Sequence, residues 1–144
     1  MKKNIYETFS PGFLLTKSSR MIMKRYEEGL GQTGISPLQS GVLYVISFHR
    51  SPSQKEISEI LFIDKVTLSK IIFNLQQNKL ISHITSNNDR REKRWTLTAK
   101  GEEKLRQVEE IDHEIEKYMR HIVSKNECDT LSKVLKKLLI KGSS

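Results

Sequence analysis

Apolar residues recur along the chain at helical spacing first. Over residues 11–30, Ile22, Tyr26 and Leu30 fall four apart, which predicts a helix that Pro11 opens and Gly29, Gly31 and Gly34 end. Ser36 can cap the next helix, with Pro37 in its first position. Leu38, Val42, Tyr44, Val45, Ile46 and Phe48 make that helix apolar on most sides, so it is expected to be central and buried, and Ser51-Pro52 ends it. Ser53 followed three residues later by Glu56 forms a capping box for a short helix to Leu61, with Ile57, Ile60 and Leu61 facing inward. After the tight connection Phe62-Ile63, Asp64 caps a further helix from about Lys65 to Asn78. Two short helices joined by so brief a turn are a helix-turn-helix candidate.

The rhythm then changes. Leu80-Ile81-Ser82-His83-Ile84-Thr85 has an apolar start and partial alternation rich in β-branched residues, which predicts a strand. Ser86-Asn87-Asn88-Asp89 is a turn cluster, and Trp95-Thr96-Leu97-Thr98 alternates again as the return strand. A hairpin directly after a helix-turn-helix is a wing. Thr98 can cap the following helix, with Gly101 in its first turn. Leu105, Val108, Ile111, Ile115, Tyr118 and Ile122 then trace one face over about five turns. Ser124-Lys125-Asn126 interrupts, and a last helix carries Leu131, Val134, Leu135, Leu138 and Leu139 on one face.

Charge sharpens this picture. The 144 residues carry 25 basic and 17 acidic side chains, a formal charge of +8, and the pI is near 9.6. Residues 65–100 hold Lys65, Lys70, Lys79, Arg90, Arg91, Lys93, Arg94 and Lys100 against only Asp89 and Glu92, so this quarter of the chain carries 8 − 2 = +6. A local anion-binding surface is expected, with nucleic acid as the first partner and a membrane surface as the second. The single cysteine excludes a disulfide framework and fits a reducing cytoplasm. The patch Phe13-Leu14-Leu15 is too short for a signal core, and the longest uncharged stretch, Gly29 to His49, holds too many polar residues to span a membrane. The chain is therefore expected to be soluble, cytoplasmic and without a membrane partner.

The most specific sequence is Asp89-Arg90-Arg91-Glu92-Lys93-Arg94-Trp95-Thr96-Leu97-Thr98-Ala99-Lys100-Gly101. It resembles the wing of the MarR-type winged helix-turn-helix transcription regulators, which reads Asp-x-Arg, then Leu-Thr, then Gly; Asp89, Arg91, Leu97, Thr98 and Gly101 match in register. Asp64-Lys65-Val66-Thr67-Leu68-Ser69-Lys70 is similar to the start of the family's recognition helix, and Leu75 to Ile81 to its exit. The family usually has Gly where this chain has Lys79. Either Lys79 or Asn78 must then take the helix-ending left-handed conformation, and Asn does so at lower cost. The resemblance covers nearly the whole chain. It implies a mainly α fold with a small β-hairpin wing: residues 35–101 as the DNA-binding region, 1–34 and 102–144 as helical dimerisation region. It also implies a homodimer on double-stranded DNA, with repression as the commoner outcome.

On a helical wheel Leu68, Ile71, Ile72 and Leu75 share one face, and Val66, Lys70, Phe73 and Gln77 lie opposite, flanked by Thr67, Ser69 and Asn74. Lys65, Val66, Thr67, Ser69, Lys70, Phe73 and Asn74 are thus the expected reading residues. Thr67 and Ser69 can reach base edges or phosphates, and so can Lys70; Asn74 can read adenine or hold a phosphate. Phe73 either touches a thymine methyl or packs under the hairpin. In the wing, Asp89, Arg90, Arg91, Lys93 and Arg94 are expected at DNA. A narrow minor groove attracts guanidinium groups, and a carboxylate two residues from Arg91 can hold that side chain in place. By resemblance, Arg91 is the side chain that enters the groove. The alternative for Asp89 and Arg91 is an exposed ion pair worth little. Trp95 reads as core of the wing base.

The terminal stripes need burial, and Leu105, Ile115, Ile122, Leu131, Leu135 and Leu138 are the expected dimer contacts; two protomers would place two recognition helices on half-sites about one helical turn apart. Cys128 reads as inert. His113 and His121, eight apart with Glu114 or Glu116 between, make a weak metal set, and neither a metal nor another cofactor is expected. No H-E-x-x-H, G-x-S-x-G, Walker or dinucleotide motif occurs, so no enzyme is expected. Three readings stand: a sequence-specific regulator whose DNA affinity is changed by a small-molecule effector, an effector-independent architectural DNA-binding protein, and a basic helical module for protein or membrane surfaces.

Overall fold

The computed structural model describes residues 3–85, 88 and 91–143. A short 3₁₀ turn, Ile5–Thr8, precedes α1 (Pro11–Leu30), α2 (Pro37–His49), α3 (Gln54–Leu61), α4 (Lys65–Gln77), β1 (Ile81–Thr85), β2 (Lys93–Leu97), α5 (Ala99–Arg120) and α6 (Lys125–Gly142). Residues up to 111 form one compact unit and residues 112–144 a second. The first helix thus belongs to the same unit as the winged helix-turn-helix, and the division falls inside α5.

Side-chain caps set the helix starts in the first unit. Ser10, Ser36, Ser53 and Asp64 each accept a hydrogen bond from the backbone N–H three residues on, and Ser36–Gln39 and Ser53–Glu56 close full capping boxes. The core under these helices is built from Leu30, Val42, Leu43, Ile46, Ile57, Leu68, Ile72, Leu75, Leu80, Ile81, Trp95, Leu105 and Val108. The second helix is central, but only on one side: Val42, Leu43, Val45 and Ile46 are buried whereas Leu38 and Phe48 are exposed. Both lie near the ends of the helix. Ile60 is likewise exposed, leaving Ile57 as the anchor of α3.

The exit of α4 departs from expectation. Lys79, not Asn78, takes the left-handed conformation, at φ +60°. Asn78 stays near the helical region because its side-chain Nδ2 donates to the Asn74 carbonyl at 2.9 Å and to Asn74 Oδ1 at 3.2 Å. The turn closes by two backbone bonds, Lys79 N–H to the Gln76 carbonyl and Leu80 N–H to the Leu75 carbonyl, the pattern that normally favours glycine at the residue after the cap. Leu80 then serves as a junction. Its carbonyl accepts from the Thr98 N–H at 3.0 Å, while the Thr98 hydroxyl donates to the Lys79 carbonyl at 2.6 Å and accepts from the Gly101 N–H. A Cβ on Gly101 would overlap the Leu80 carbonyl oxygen, so only glycine lets α5 start this close to the exit of α4.

The hairpin pairs antiparallel, with Ile81 opposite Leu97, His83 opposite Trp95 and Thr85 opposite Lys93. Trp95 is fully buried at its base, as expected, and its indole N–H has no hydrogen-bond partner among the described residues. The segment before α3 extends this sheet: Trp95 N–H donates to the Pro52 carbonyl, and Ser53 pairs with Arg94. Positive φ values at Arg50 (+46°) and Ser51 (+79°) turn the chain out of α2 into that position.

In the second unit, α5 ends at Arg120, two residues earlier than its apolar spacing predicts, and Ile122 lies beyond it, exposed. Ser124 and Glu127 form a capping box for α6. Along α6, Leu131, Val134, Leu138, Leu139 and Ile140 are all exposed. Two expected dimer residues are already buried in the single chain: Leu105 in the core of the first unit, and Ile115 among the residues of the second.

Candidate nucleic-acid interface

The fourth helix presents the site. Leu68, Ile72 and Leu75 lock one face into the core, which turns Val66, Lys70, Phe73 and Gln77 to solvent. Its sequence holds Lys65 and Lys70 and no acidic residue. Phe73 is 63% exposed and Val66 67%, so Phe73 does not pack under the hairpin.

The polar side chains beside this face are tied to neighbours. Asp64 accepts from the Thr67 N–H at 2.9 Å and from the Thr67 hydroxyl at 2.6 Å. These bonds, the hydroxyl first, hold the Asp64 carboxyl below its usual range, so the cap stays ionised. They also commit the Thr67 proton, leaving that hydroxyl to act on a ligand as an acceptor. Asn74 Oδ1 accepts from Gln39 Nε2 at 2.7 Å, and Gln39 Oε1 accepts from the Ser36 N–H. Ser69 Oγ accepts from Gln54 Nε2 at 3.4 Å. The N-terminal turns of α2 and α3 thus brace α4 through Gln39 and Gln54. Sequence reasoning missed both glutamines, although Gln39 had a visible signal as the third residue of a capping box.

In the wing, Arg91 and Lys93 are exposed. Arg94 is placed differently from expectation. Its Nη1 donates to the Ser51 carbonyl at 3.1 Å and reaches Glu56 Oε2 at 3.3 Å, and its Nη2 reaches Glu92 Oε2 at 3.3 Å. Pairing Arg94 with Ile84 on β1 and with Ser53 beside α3 turns its side chain towards the helix-turn-helix. Glu56 is held below the usual carboxylate range by the Ser53 N–H first, with the Ser53 hydroxyl and Arg94 adding to it. Asp89 and Arg90 lie outside the described residues.

Comparisons with known proteins agree with this arrangement. The family model described as MarR family matches residues 33–92, from the turn before α2 into the wing. An uncharacterised HTH-type transcriptional regulator of Bacillus subtilis, YwoH, is 30% identical over 94 residues, which cover 65% of this chain and 68% of that protein. The organic hydroperoxide resistance transcriptional regulator of the same organism is 32% identical over 89 residues, 62% of this chain and 60% of its own length. The structure of an E. coli MarR variant complexed with operator DNA superposes with a TM-score of 0.81 at 21% identity, covering 96% of this chain and 99% of that one. Motif positions, fold and sequence similarity converge, and the chain belongs to the MarR family of winged-helix transcription regulators.

Proposed function

We propose that this regulator binds double-stranded DNA sequence-specifically as a homodimer, represses transcription from a pseudo-palindromic operator, and is released by a small-molecule effector. The observation that carries the DNA reading is the acid-free outward face of α4, braced by Gln39 and Gln54 and set beside a basic hairpin. Lys65, Val66, Thr67, Ser69, Lys70, Phe73 and Asn74 belong to the groove-facing set, and Arg91 and Lys93, with Asp89 and Arg90, to the wing. Phosphate contacts from the wing set register, and the helix reads bases. Arg94 holds the wing in place instead of touching DNA.

Homodimerisation is supported by the exposed stripe Leu131, Val134 and Leu138 on α6, which lacks cover in a single chain. Leu135 and Ile122 flank it. We assign residues 35–101 to DNA and the terminal helices to the dimer. Release by an effector and action in the cytoplasm are parts of the reading that rest on family membership. The likeness to an operator-bound relative supports the DNA reading by analogy. Footprinting on the DNA flanking this protein's own gene tests it. Two protected half-sites about one helical turn apart are expected; uniform or absent protection refutes the reading.

A further inference from the structure

We propose that the DNA half-site read by α4 is recognised through thymine C5-methyl groups that meet Val66 and Phe73. This rests on the DNA-binding reading above and specifies its chemistry. At 100° per residue, positions 66, 70, 73 and 77 lie farthest from the buried face of Leu68, Ile72 and Leu75. Two of the four are apolar, and each exposes more than three fifths of its surface. Among the described residues no packing requirement accounts for a phenylalanine there.

Hydrogen-bond readout is meanwhile restricted among the polar side chains that flank this face. The Thr67 proton goes to Asp64, Asn74 Oδ1 accepts from Gln39 and Asn78, and Ser69 accepts from Gln54. An asparagine reads adenine with its carbonyl and amide together, and the carbonyl is already engaged. The helix carries no arginine for guanine, and Lys70 and Gln77 are the outward side chains left to hydrogen-bond a base. Of the groups that base pairs display in the major groove, the thymine methyl is the apolar one. A protein partner is a poorer match for the same two residues, because Lys65 and Lys70 flank them with no acidic residue along the helix. Val66 and Phe73 are seven residues apart, about 10 Å along the axis, or roughly three base steps if the helix follows the groove.

The test starts from random duplexes about 25 bp long, enough for two half-sites, enriched for binding to the full-length protein. Each thymine of the enriched half-site is then replaced by deoxyuridine, which removes only the methyl. Loss of one buried methyl contact should weaken binding about fourfold. The sensitivity should disappear at one position in Val66→Ala and at another in Phe73→Ala. It should persist in Lys70→Ala, which weakens binding without touching a methyl. Both apolar side chains are exposed, so the variants should keep the wild-type melting temperature. Indifference of every thymine to uracil overturns the inference and leaves sequence-specific binding intact; undiminished sensitivity in both alanine variants also overturns it. A pool that enriches no sequence defeats the DNA reading along with it.

Discussion

Replacing Arg94 with alanine separates a clamp from a DNA contact. In the structure the guanidinium joins three elements: the Ser51 carbonyl after α2, the Glu56 carboxylate of the α3 capping box, and Glu92 within the wing. Hydrogen bonds to charged groups contribute about 1.5–3 kcal/mol when shielded. The Arg94 side chain is 35% exposed and its partners 49% and 40%, so solvent screening brings the ion-pair share to below about 1 kcal/mol. The bond to the Ser51 carbonyl adds about 1 kcal/mol. A total loss of about 1–2 kcal/mol follows, which for a chain of this size lowers the melting temperature by roughly 3–8 °C. Trp95, the sole tryptophan, is buried next to Arg94 in β2 and reports the wing directly by fluorescence, alongside circular dichroism for the helices. The salt dependence of DNA binding supplies the second readout. A side chain that neutralises a phosphate contributes about 0.9 to the slope of log affinity against log salt. Arg94→Ala should leave that slope unchanged, while Arg91→Ala should reduce it and leave the melting temperature unaltered. An unchanged melting temperature for Arg94→Ala, with the slope reduced, would refute the clamp.

Lys79→Gly should raise stability by about 0.5–1 kcal/mol, because it relieves a left-handed lysine that costs about 1–2 kcal/mol while adding some unfolded-state entropy; urea unfolding measures it, and a loss of stability contradicts the strain. The capping carboxylates Asp64, Glu56 and Glu127 are all held below their ordinary values of 3.8, 4.5 and 4.5. Depressed folded-state values mean that their stabilisation is complete above the ordinary values and is lost as pH falls through the lower folded ones. Thermal melts should therefore be insensitive to these groups near neutrality and fall off in acid, less steeply in Asp64→Asn; an identical acid profile in that variant counts against the cap. Leu131→Asp with Leu138→Asp, both exposed in the single chain, should yield a folded monomer by sedimentation. The same substitutions with dimer mass retained place the interface elsewhere.

Much of the architecture was legible because it is written in short-range chemistry. Ser36, Ser53 and Asp64 are caps by residue type and spacing, and each caps the expected helix. Alternation around Ile81 and Trp95 placed both strands to within two residues. The outward set of α4 followed from the wheel alone. What stayed hidden depends on contacts distant in sequence. The fate of Arg94 is decided by Ser51 and Glu56, some forty residues earlier, and a run of basic residues gives no sign that one of them turns back. Gln39 and Gln54 meet α4 only once the helices pack. Lys79 was read against the intrinsic ease of asparagine in the left-handed region, but the Asn78 side chain had a local competitor in the Asn74 carbonyl. Leu105 and Ile115 look the same as Leu131 or Leu138 by periodicity, since an apolar stripe does not say whether its own chain or another covers it.

Sequence recognition by α4 is tested most directly by one ratio. Fluorescence anisotropy gives the affinity for a duplex carrying the protected inverted repeat, and for a duplex of the same length and composition with both half-sites scrambled, over a range of salt. Both affinities should fall as salt rises, through the shared phosphate contacts. Their ratio should stay at about 10³ or more, because the base contacts exist only on the first duplex. Equal affinity for the two duplexes at every salt concentration would contradict base reading by this helix and leave only a charged surface.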